Sequence, residues 1–432
     1  MTQPRSHDRR DERLSGFLFS PASCYPSPAA YIADDTGAIL RTWSHPAHQP
    51  RPEDDPPSYL RGWNHVEVDA GGNLFAIVPL RALLKLTPES ELEWSCDVAA
   101  HHDLAIDGAG TVLILTEAPR RVLAGGRSHV VLDNLVTFID LGGWVKTEIS
   151  LYDVLRTDPG LRRLIDNSIR RRSEEFRYRG WPTPDDDVPP AVVRETQAIL
   201  RTATYHGERR RALRRLRDLP GSPCDVLHTN TLEFLDAHPG GMWERGDLLL
   251  CMRELNTIAV VDLARAEVRW RWGLGELSGP HQPSVLPDGR VLVFDNGVGL
   301  RRTRLVAVDP ATREVVWSWS AHPPRSFFCP LAGGCEALAN GNILVTNSTA
   351  GAAFELTMDG RIVWQMALPV EIYGAERGRV SIYRMSAVAP EVMAQLGEHH
   401  PVESPAVRSP ALRRGPVETT AADLTCGRTC ES

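Results

Sequence analysis

The sequence predicts an all-β fold, a six-bladed β-propeller with a helical insertion between two of its blades. A turn followed by a β-rich stretch that ends in tryptophan recurs through the chain, at Trp43, Trp94, Trp144, Trp272, Trp319 and Trp364. Successive tryptophans lie roughly 45 to 51 residues apart, a period typical of propeller blades, except between Trp144 and Trp272. Six units predict six blades, and the one long gap predicts the insertion.

A second pattern supplies the remaining strands of each unit. Alternating apolar residues flank a Gly-, Asn- or Asp-rich turn in VEVDAGGNLFAIV, LAIDGAGTVLIL, PSVLPDGRVLVF and EALANGNILVT, and with a longer turn in the stretch that begins at Leu232. Each reads as a β-hairpin. The two patterns together give about four short strands per unit, and most of the eleven tryptophans are expected to wedge between neighbouring sheets.

Residues 150–222, inside the long gap, are predicted to form a helical excursion on one face of the propeller. The apolar residues that recur at helical spacing are Leu161, Leu164, Ile165, Ile169, Ile199, Ala203, Leu213 and Leu216. The excursion is either a lid that helps attract anions or a solvated, charge-rich hairpin. The propeller is expected to span residues 15–394, with disordered tails over 1–14 and 395–432 because both are poor in apolar residues.

Composition excludes several classes of protein. The 432 residues include 48 Lys and Arg against 55 Asp and Glu, a net charge of −7, which argues against a nucleic-acid-binding surface. The sequence contains no run of 18 apolar residues, so no membrane-spanning helix is predicted. The first residues are polar and resemble no secretory signal, so we expect a cytoplasmic location. The expected partners are small molecules, neither nucleic acid nor membrane; the oligomeric state is left open, with a homodimer as one option.

Histidines occur in phase with the repeat. His102 and His281 open inner hairpins shortly after a terminal tryptophan, and His228 and Asn230 open another after the insertion. Because equivalent positions in different blades converge on one axis, these side chains are expected to meet at a mouth of the central channel. His101 competes with His102, and strand alternation allows only one of the two to face the channel; we favour His102.

Arginines and an amide complete the candidate site. Arg253 follows a strongly apolar strand, where a buried guanidinium requires an anion or a carboxylate, and Asn256 follows three residues later. The alternative is a salt bridge to a neighbouring blade. Arg384 holds a comparable position at the entry of a later strand. The Asp295-Asn296-Gly297 turn serves either as a turn or in binding.

Imidazoles, an arginine and an amide without an obvious carboxylate pair favour a tetrahedral oxyanion as the ligand. Three histidines could hold zinc, but an arginine beside them opposes a cation. No GxSxG elbow or P-loop is present. Arginine and Asn side chains can hold the oxygens of the anion while a neutral imidazole attacks its central atom. The alternatives are a quinone-cofactor dehydrogenase propeller and a non-catalytic propeller that binds a ligand or a protein.

The chain resembles the bacterial aryl-sulfate sulfotransferases, which need no nucleotide sulfate donor. The stretches that carry the resemblance are HHDLAIDGAGTVLIL, DVLHTNTLEFL, LLLCMRELNTIAVVDL, GPHQPSVLPDGRVLVFDNG and ALANGNILVTNSTAGAAFELTMDGRIVW. The resemblance implies a six-bladed propeller. It also implies a site made of a transiently sulfated His281, an HxN pair at His228 and Asn230, Arg253, and His102 or alternatively His101. Cys251 departs from the family, which usually has serine there.

The implied activity is ping-pong transfer of a sulfuryl group from an aryl sulfate to a phenol through a sulfohistidine, without cofactor or metal. We expect Arg253, His228 and Asn230 to bind the sulfuryl oxygens, because charge develops on them in a loose transition state. His102 is expected to exchange the proton of the phenolic oxygen. Known members are periplasmic and longer, with an additional N-terminal β domain.

Overall fold

Six antiparallel sheets make up most of the computed structural model, which describes residues 16–21, 28–47, 62–108, 110–178, 224–368, 370–373, 376–379, 381–397 and 413–414. Each sheet contains a four-stranded antiparallel path, and the inner strands of consecutive sheets surround a common channel. The predicted six-bladed propeller is therefore confirmed.

The strands follow the chain from the inside of each blade to its outside. Blades 1 and 2 contain β1 (Phe17–Pro21), β2 (Ala29–Ala33), β3 (Ile39–Ser44), β4 (Val66–Val68), β5 (Leu74–Val78), β6 (Ala82–Leu86) and β7 (Leu92–Cys96). Blade 3 contains β8 (Ala100–Ile106), β9 (Val112–Ala124), β10 (Arg127–Ile139) and β11 (Val145–Ser150), with β12 (Cys224–Asp225) beside β10. Blade 4 contains β13 (Thr229–Phe234), β14 (Leu248–Met252), β15 (Thr257–Asp262) and β16 (Glu267–Trp272).

The last two blades and the closing strand complete the ring. Blade 5 contains β17 (His281–Val285), β18 (Val291–Asp295), β19 (Arg304–Val308) and β20 (Val315–Trp319). Blade 6 contains β21 (Gly334–Ala337), β22 (Ile343–Asn347), β23 (Ala352–Leu356) and β24 (Ile362–Ala367), and is followed by the hairpin of β25 (Val370–Tyr373) and β26 (Glu376–Arg379). β27 (Ile382–Ala387) pairs with β1 as the inner strand of blade 1, so the two ends of the propeller are joined by main-chain hydrogen bonds; β28 (Arg413–Arg414) pairs with β24.

Tryptophans connect neighbouring blades, as the repeat predicts for five of six units. The indole N–H donates to a carbonyl of the next blade in the pairs Trp43–Thr87, Trp94–Leu141, Trp272–Arg313, Trp319–Gly360 and Trp364–Asp35, at 2.7 to 3.3 Å. Trp144 is the exception, because it precedes β11 and its side chain is 73% exposed. Trp144 therefore does not wedge between sheets as the other repeat tryptophans do; it ends the turn itself instead of lying within the strand.

Helices occupy the place between blades 3 and 4, where the helical insertion is predicted. The helices are α1 (Leu151–Leu155), which Ser150 caps, and α2 (Pro159–Tyr178). Leu161, Ile165 and Ile169 form a buried stripe in the core shared with β9 and β10, which confirms the predicted apolar face in this part of the insertion. The later part, including Ile199 to Leu216, lies outside the described residues, as do the tails 1–15 and 415–432.

A third helix, α3 (Pro390–Leu396), follows the closing strand and buries Leu396 against blades 1 and 2. Because residues 398–412 and both tails are outside the described part, the predicted domain limits stay predictions. Within the described part, no helix is long and apolar enough to cross a lipid bilayer.

Candidate functional site

Three imidazoles from different blades meet at one mouth of the channel. His102 lies on β8, His228 directly precedes β13, and His281 begins β17. The ring centroids of His102 and His228 are 4.9 Å apart, and both histidines lie close enough to His281 for their charges to interact with it. The structure therefore brings together side chains that are distant in the chain.

Hydrogen bonds fix the orientation of the His281 ring. Its Nδ1 lies 2.7 Å from Oδ1 of Asn296 and 3.2 Å from the carbonyl oxygen of Gly279. Asn296 must present its oxygen there, because its amide nitrogen donates to the carbonyls of Cys329 and Ala332 at 2.7 and 2.9 Å. Since both partners of Nδ1 are acceptors, the hydrogen-bond network assigns the proton to Nδ1 and leaves the lone pair on Nε2.

Burial keeps this imidazole neutral. His281 is 4% exposed, and burial is the main reason that its pKa falls to about 3; Arg253 and His228 lower the pKa further, while the Asn296 hydrogen bond raises it. A histidine with this pKa holds an unprotonated ring nitrogen at any physiological pH. His281 is therefore suited to nucleophilic attack but cannot hold an additional proton.

Two buried side chains hold the peptide in front of His281. Nδ2 of Asn230 donates to the carbonyl of Pro280 at 2.9 Å, and Sγ of Cys251 donates to the same oxygen at 3.2 Å. Asn230 is fully buried. Its amide therefore supports the His281 loop, whereas the sequence predicted a contact with substrate. The thiol at the position of the family's serine makes a weak hydrogen bond in the same place.

Asn256 supports the preceding residue of that loop. It ends the short 3-10 helix Arg253–Leu255 in a left-handed conformation with φ of 50°. Its Oδ1 accepts the backbone N–H of Gly279 at 2.7 Å. The structure thus brings this predicted binding residue to the site, in a position where it orders the backbone before His281.

His228 is held by a carboxylate that was not predicted from the sequence. Its Nδ1 lies 2.6 Å from Oδ2 of Asp225, and its backbone N–H donates to Oδ1 of Asp225 at 3.1 Å. Asp225 lies on β12, which pairs in parallel with the long strand β10. The sequence does contain a signal, because an aspartate lies three residues before the histidine in DVLH. In an irregular segment, however, a separation of three residues does not by itself predict an ion pair.

His101 and His102 both lie at the site, with their Nδ1 atoms 2.7 Å apart. The alternation argument does not hold here, because β8 carries a register shift between Ala100 and Leu104 and His102 adopts a φ of 60°. His101 is buried and His102 is partly exposed. Burial, followed by the neighbouring His228, His101, His281 and Arg253, lowers the pKa of His102 well below its ordinary value.

Arg253 borders the same mouth. It follows β14 directly, and its backbone N–H donates to the carbonyl of His228 at 3.2 Å. The guanidinium pairs with Glu254 and remains 21% exposed, and a Cβ placed on Gly279 would lie 4.0 Å from its Nε. The guanidinium is thus close to the His281 loop and open to an anion. The carboxylate partner of Arg253 is therefore its neighbour in the chain. The alternative considered from the sequence was a salt bridge to another blade.

Arg384 lies deeper in the channel and already has an anion. Its two terminal nitrogens donate to the two oxygens of Asp103 at 2.9 and 3.2 Å. Asp103 also accepts the N–H of Leu232 at 2.9 Å and lies 3.3 Å from Nε2 of His65. Arg384 was predicted to bind substrate, but its charge is already compensated by Asp103. Asp103 follows His102 in the sequence and was not predicted as a site residue.

Further acidic side chains lie on the inner strands of other blades. Glu67, Glu233 and Glu336 occupy equivalent positions on β4, β13 and β21, opposite Phe75, Leu249 and Leu344 in the register. Among the residues that the structure describes, no three His, Cys, Asp or Glu side chains are grouped in a way that could hold a metal ion.

Solved structures resemble this chain at low sequence identity. A protein of unknown function from Bacteroides caccae is 11% identical, with a TM-score of 0.43, over 86% of this chain and 98% of that one. A catalytically inactive virginiamycin B lyase from Staphylococcus aureus with quinupristin is 10% identical, with a TM-score of 0.35, over 71% and 70%. The Dos1 propeller is 10% identical, with a TM-score of 0.37, over 81% and 67%.

A family comparison agrees with the sequence resemblance. Residues 195–368 match the family model described as Arylsulfotransferase (ASST), and the matched segment includes His228, Arg253 and His281 and ends before β27. No curated protein matches the sequence significantly. The match covers residues 195–368, less than half of the chain, and confirms the sequence resemblance to the arylsulfotransferase family.

Proposed function

We propose that the protein transfers a sulfuryl group from an aryl sulfate to a phenol in two steps, with sulfated His281 as the intermediate. The observation that carries the proposal is the state of His281, whose Nδ1 is tied to Asn296 and Gly279 and whose pKa of about 3, caused by burial, leaves Nε2 unprotonated. The partners are small molecules, and no step requires a nucleic acid or a membrane.

In the first step Nε2 of His281 attacks sulfur, the S–N bond forms, and the S–O bond to the aryl group breaks. The electron pair leaves on the phenolic oxygen. Negative charge on the sulfuryl oxygens is stabilised by Arg253, whose guanidinium is 21% exposed beside the His281 loop. In the second step a phenol oxygen attacks the same sulfur, and the S–N electrons return to His281.

The supporting amides act on the nucleophile in this proposal. Asn230 and Asn256 bond the backbone at Pro280 and Gly279, and so they keep the His281 ring at the mouth of the channel. A positioned nucleophile lowers the entropic cost of reaching an in-line geometry. We therefore propose that these residues influence the rate through His281, while Arg253 contacts the anion.

The test is a burst assay followed by intact mass measurement. Wild-type protein mixed with 4-nitrophenyl sulfate and no acceptor should release nitrophenol in an amount equal to the enzyme and gain the mass of one SO3 group. His281→Ala should lose both signals, whereas His322→Ala, at an exposed histidine outside the site, should retain them. Absence of a burst in the wild type would favour a non-catalytic propeller, and an unchanged burst in His281→Ala would refute the nucleophile.

A further inference from the structure

Two imidazoles of the site differ in the partner of the same ring atom. Nδ1 of His281 lies 2.7 Å from the neutral amide of Asn296, whereas Nδ1 of His228 lies 2.6 Å from the carboxylate of Asp225. Both arrangements orient Nε2 away from the partner. The difference in charge gives the two rings different chemistry.

A neutral acceptor fixes the tautomer of an imidazole, while a carboxylate also stabilises the positively charged ring. Four imidazoles lie at the site. His101 is buried, with its Nδ1 2.7 Å from Nδ1 of His102. His102 is a poor holder of a proton, because burial and three neighbouring histidines disfavour its charged form. His281 is excluded because burial disfavours its charged form and because it is the nucleophile. His228 is the one that combines a carboxylate partner with a side chain that is 32% exposed.

Asp225 contacts His228 with both of its carboxylate oxygens. One oxygen accepts the backbone N–H of His228 and the other faces its ring, so both ends of the histidine are fixed by one side chain. β12 places Asp225 against Leu132 of β10, and Asn134 of the same strand accepts the N–H of Thr229 at 2.7 Å. The segment around His228 is therefore anchored on both sides of the ring.

We propose that His228 is the acid and base of the sulfuryl transfer and that Asp225 is its positioning residue. This inference rests on the proposed function and reassigns the proton exchange expected of His102. As the S–O bond breaks, the phenolic oxygen takes the proton from Nε2 of the His228 imidazolium, which becomes neutral. In the second step Nε2 accepts the proton of the incoming phenol while its oxygen attacks sulfur.

Several charged and titratable groups surround His228 and bear on its protonation. They are Asp225 on β12, His102 on β8, His281 on β17, and Arg253 with its partner Glu254 on the 3-10 helix. Arg253 opposes a second positive charge, and Asp225 compensates it. The Asp225→Asn substitution therefore removes the negative charge that faces Nδ1 of His228, although Asn at this position can still accept the backbone N–H of His228.

The experiment compares two donors in the Asp225→Asn variant by single-turnover kinetics. Nitrophenolate leaves without a proton, so sulfation by 4-nitrophenyl sulfate should slow by less than about tenfold. Unsubstituted phenolate is far more basic, so sulfation by phenyl sulfate should slow by about 10²-fold or more, the size of a lost general acid. Asp225→Glu should recover part of the loss with phenyl sulfate.

A matched control and a folding measurement separate the outcomes. Asp309→Asn changes an aspartate that makes similar contacts to backbone N–H groups in a distant turn and should leave both rates unchanged. Equal slowing with both donors at an unchanged melting temperature would overturn the acid–base role. A wild-type protein that forms no sulfated His281 at all would instead overturn the proposed function.

Discussion

At the residue scale, the chemistry of His281 depends on one amide. Asn296 accepts from Nδ1 and donates to two backbone carbonyls, so it connects His281 to the Cys329–Ala332 loop. The tautomer follows from this geometry and not from the histidine itself. The Phe-Asp-Asn-Gly sequence contained the residue, but it is equally typical of a turn.

We expect Asn296→Ala to slow sulfation of His281 by about 10- to 10²-fold, because the loose ring samples both tautomers. The two carbonyls lose their donor, which should lower the free energy of unfolding by about 1–3 kcal/mol. Burst kinetics and denaturant unfolding measure the two effects. Asn342→Ala, which removes an amide bonded to Glu355 in a turn, is the control for stability alone. A normal burst rate in Asn296→Ala would contradict the role of the amide.

The pH dependence of His281 is also a residue-scale prediction. Its ordinary pKa of 6.5 falls to about 3, mainly through burial, so its neutral form is fully populated throughout the neutral pH range. The burst rate constant with 4-nitrophenyl sulfate should therefore stay constant between about pH 5 and pH 8. The prediction fails if the burst rate constant falls toward low pH with a midpoint near the ordinary histidine pKa and if this fall persists in His228→Gln. Such a result would show that His281 itself takes up a proton in that range.

At the element scale, indole N–H groups join five of the six outer strands to the turn of the next blade. Trp364 makes the contact from blade 6 to blade 1, where Nε1 donates to Asp35 at 2.7 Å and the ring stacks on Phe17 at 4.5 Å. This contact reinforces the closure that β27 makes with β1. Between blades 3 and 4 the contact is made by α1 against β16, because Trp144 ends its turn before the outer strand begins.

We expect Trp364→Phe to lower the free energy of unfolding by about 0.5–1.5 kcal/mol, since the aromatic stacking persists and one hydrogen bond is lost. Trp144→Phe is the matched control, because that indole is 73% exposed, and its unfolding should be unchanged. Chemical denaturation of both variants gives the comparison. Equal destabilisation by the two substitutions would mean that the indole contact does not join the blades.

Across the whole molecule, the channel concentrates carboxyl groups. Burial raises the pKa of Glu233 and of Glu336 to about 8, with nearby carboxylates adding to the effect on both. Because the folded-state pKa lies above the ordinary 4.5, the folded protein binds more protons in this interval. The stability that these groups contribute is complete below pH 4.5 and is lost as pH rises through 8.

The double variant Glu233→Gln/Glu336→Gln should therefore gain stability relative to wild type as the pH increases. We expect similar melting temperatures near about pH 4.5 and a higher melting temperature of the variant, by several degrees, near about pH 9. Thermal unfolding at both pH values measures this difference. Glu91→Gln, at an exposed turn position, should show none. A melting-temperature difference that does not change with pH would contradict the shifted pKa values.

Local patterns in the amino-acid sequence were enough to predict the architecture and the residues that begin the inner strands. Blade number, hairpins and the phase of His102, His228 and His281 are local periodicities, and each can be recognised because most strands of a blade come from one contiguous segment. The exposure of Trp144 was not predicted. The spacing from turn to tryptophan does not reveal whether the indole lies in the turn or in the strand after it.

The partners and the protonation of these residues follow from contacts that form only in the folded ring. Arg384 and Asp103 are 281 positions apart, Leu232 and Asp103 are 129 apart, and Asn134 and Thr229 are 95 apart. No periodicity relates such positions, since they meet only when the blades pack together around the channel. Regular strand alternation does not give the direction of the His102 and His228 rings. The register shift in β8 interrupts the alternation, and both residues have a left-handed backbone conformation. Hydrogen-bond partners set the tautomer and charge of an imidazole, so these properties follow from the folded propeller and not from the local sequence.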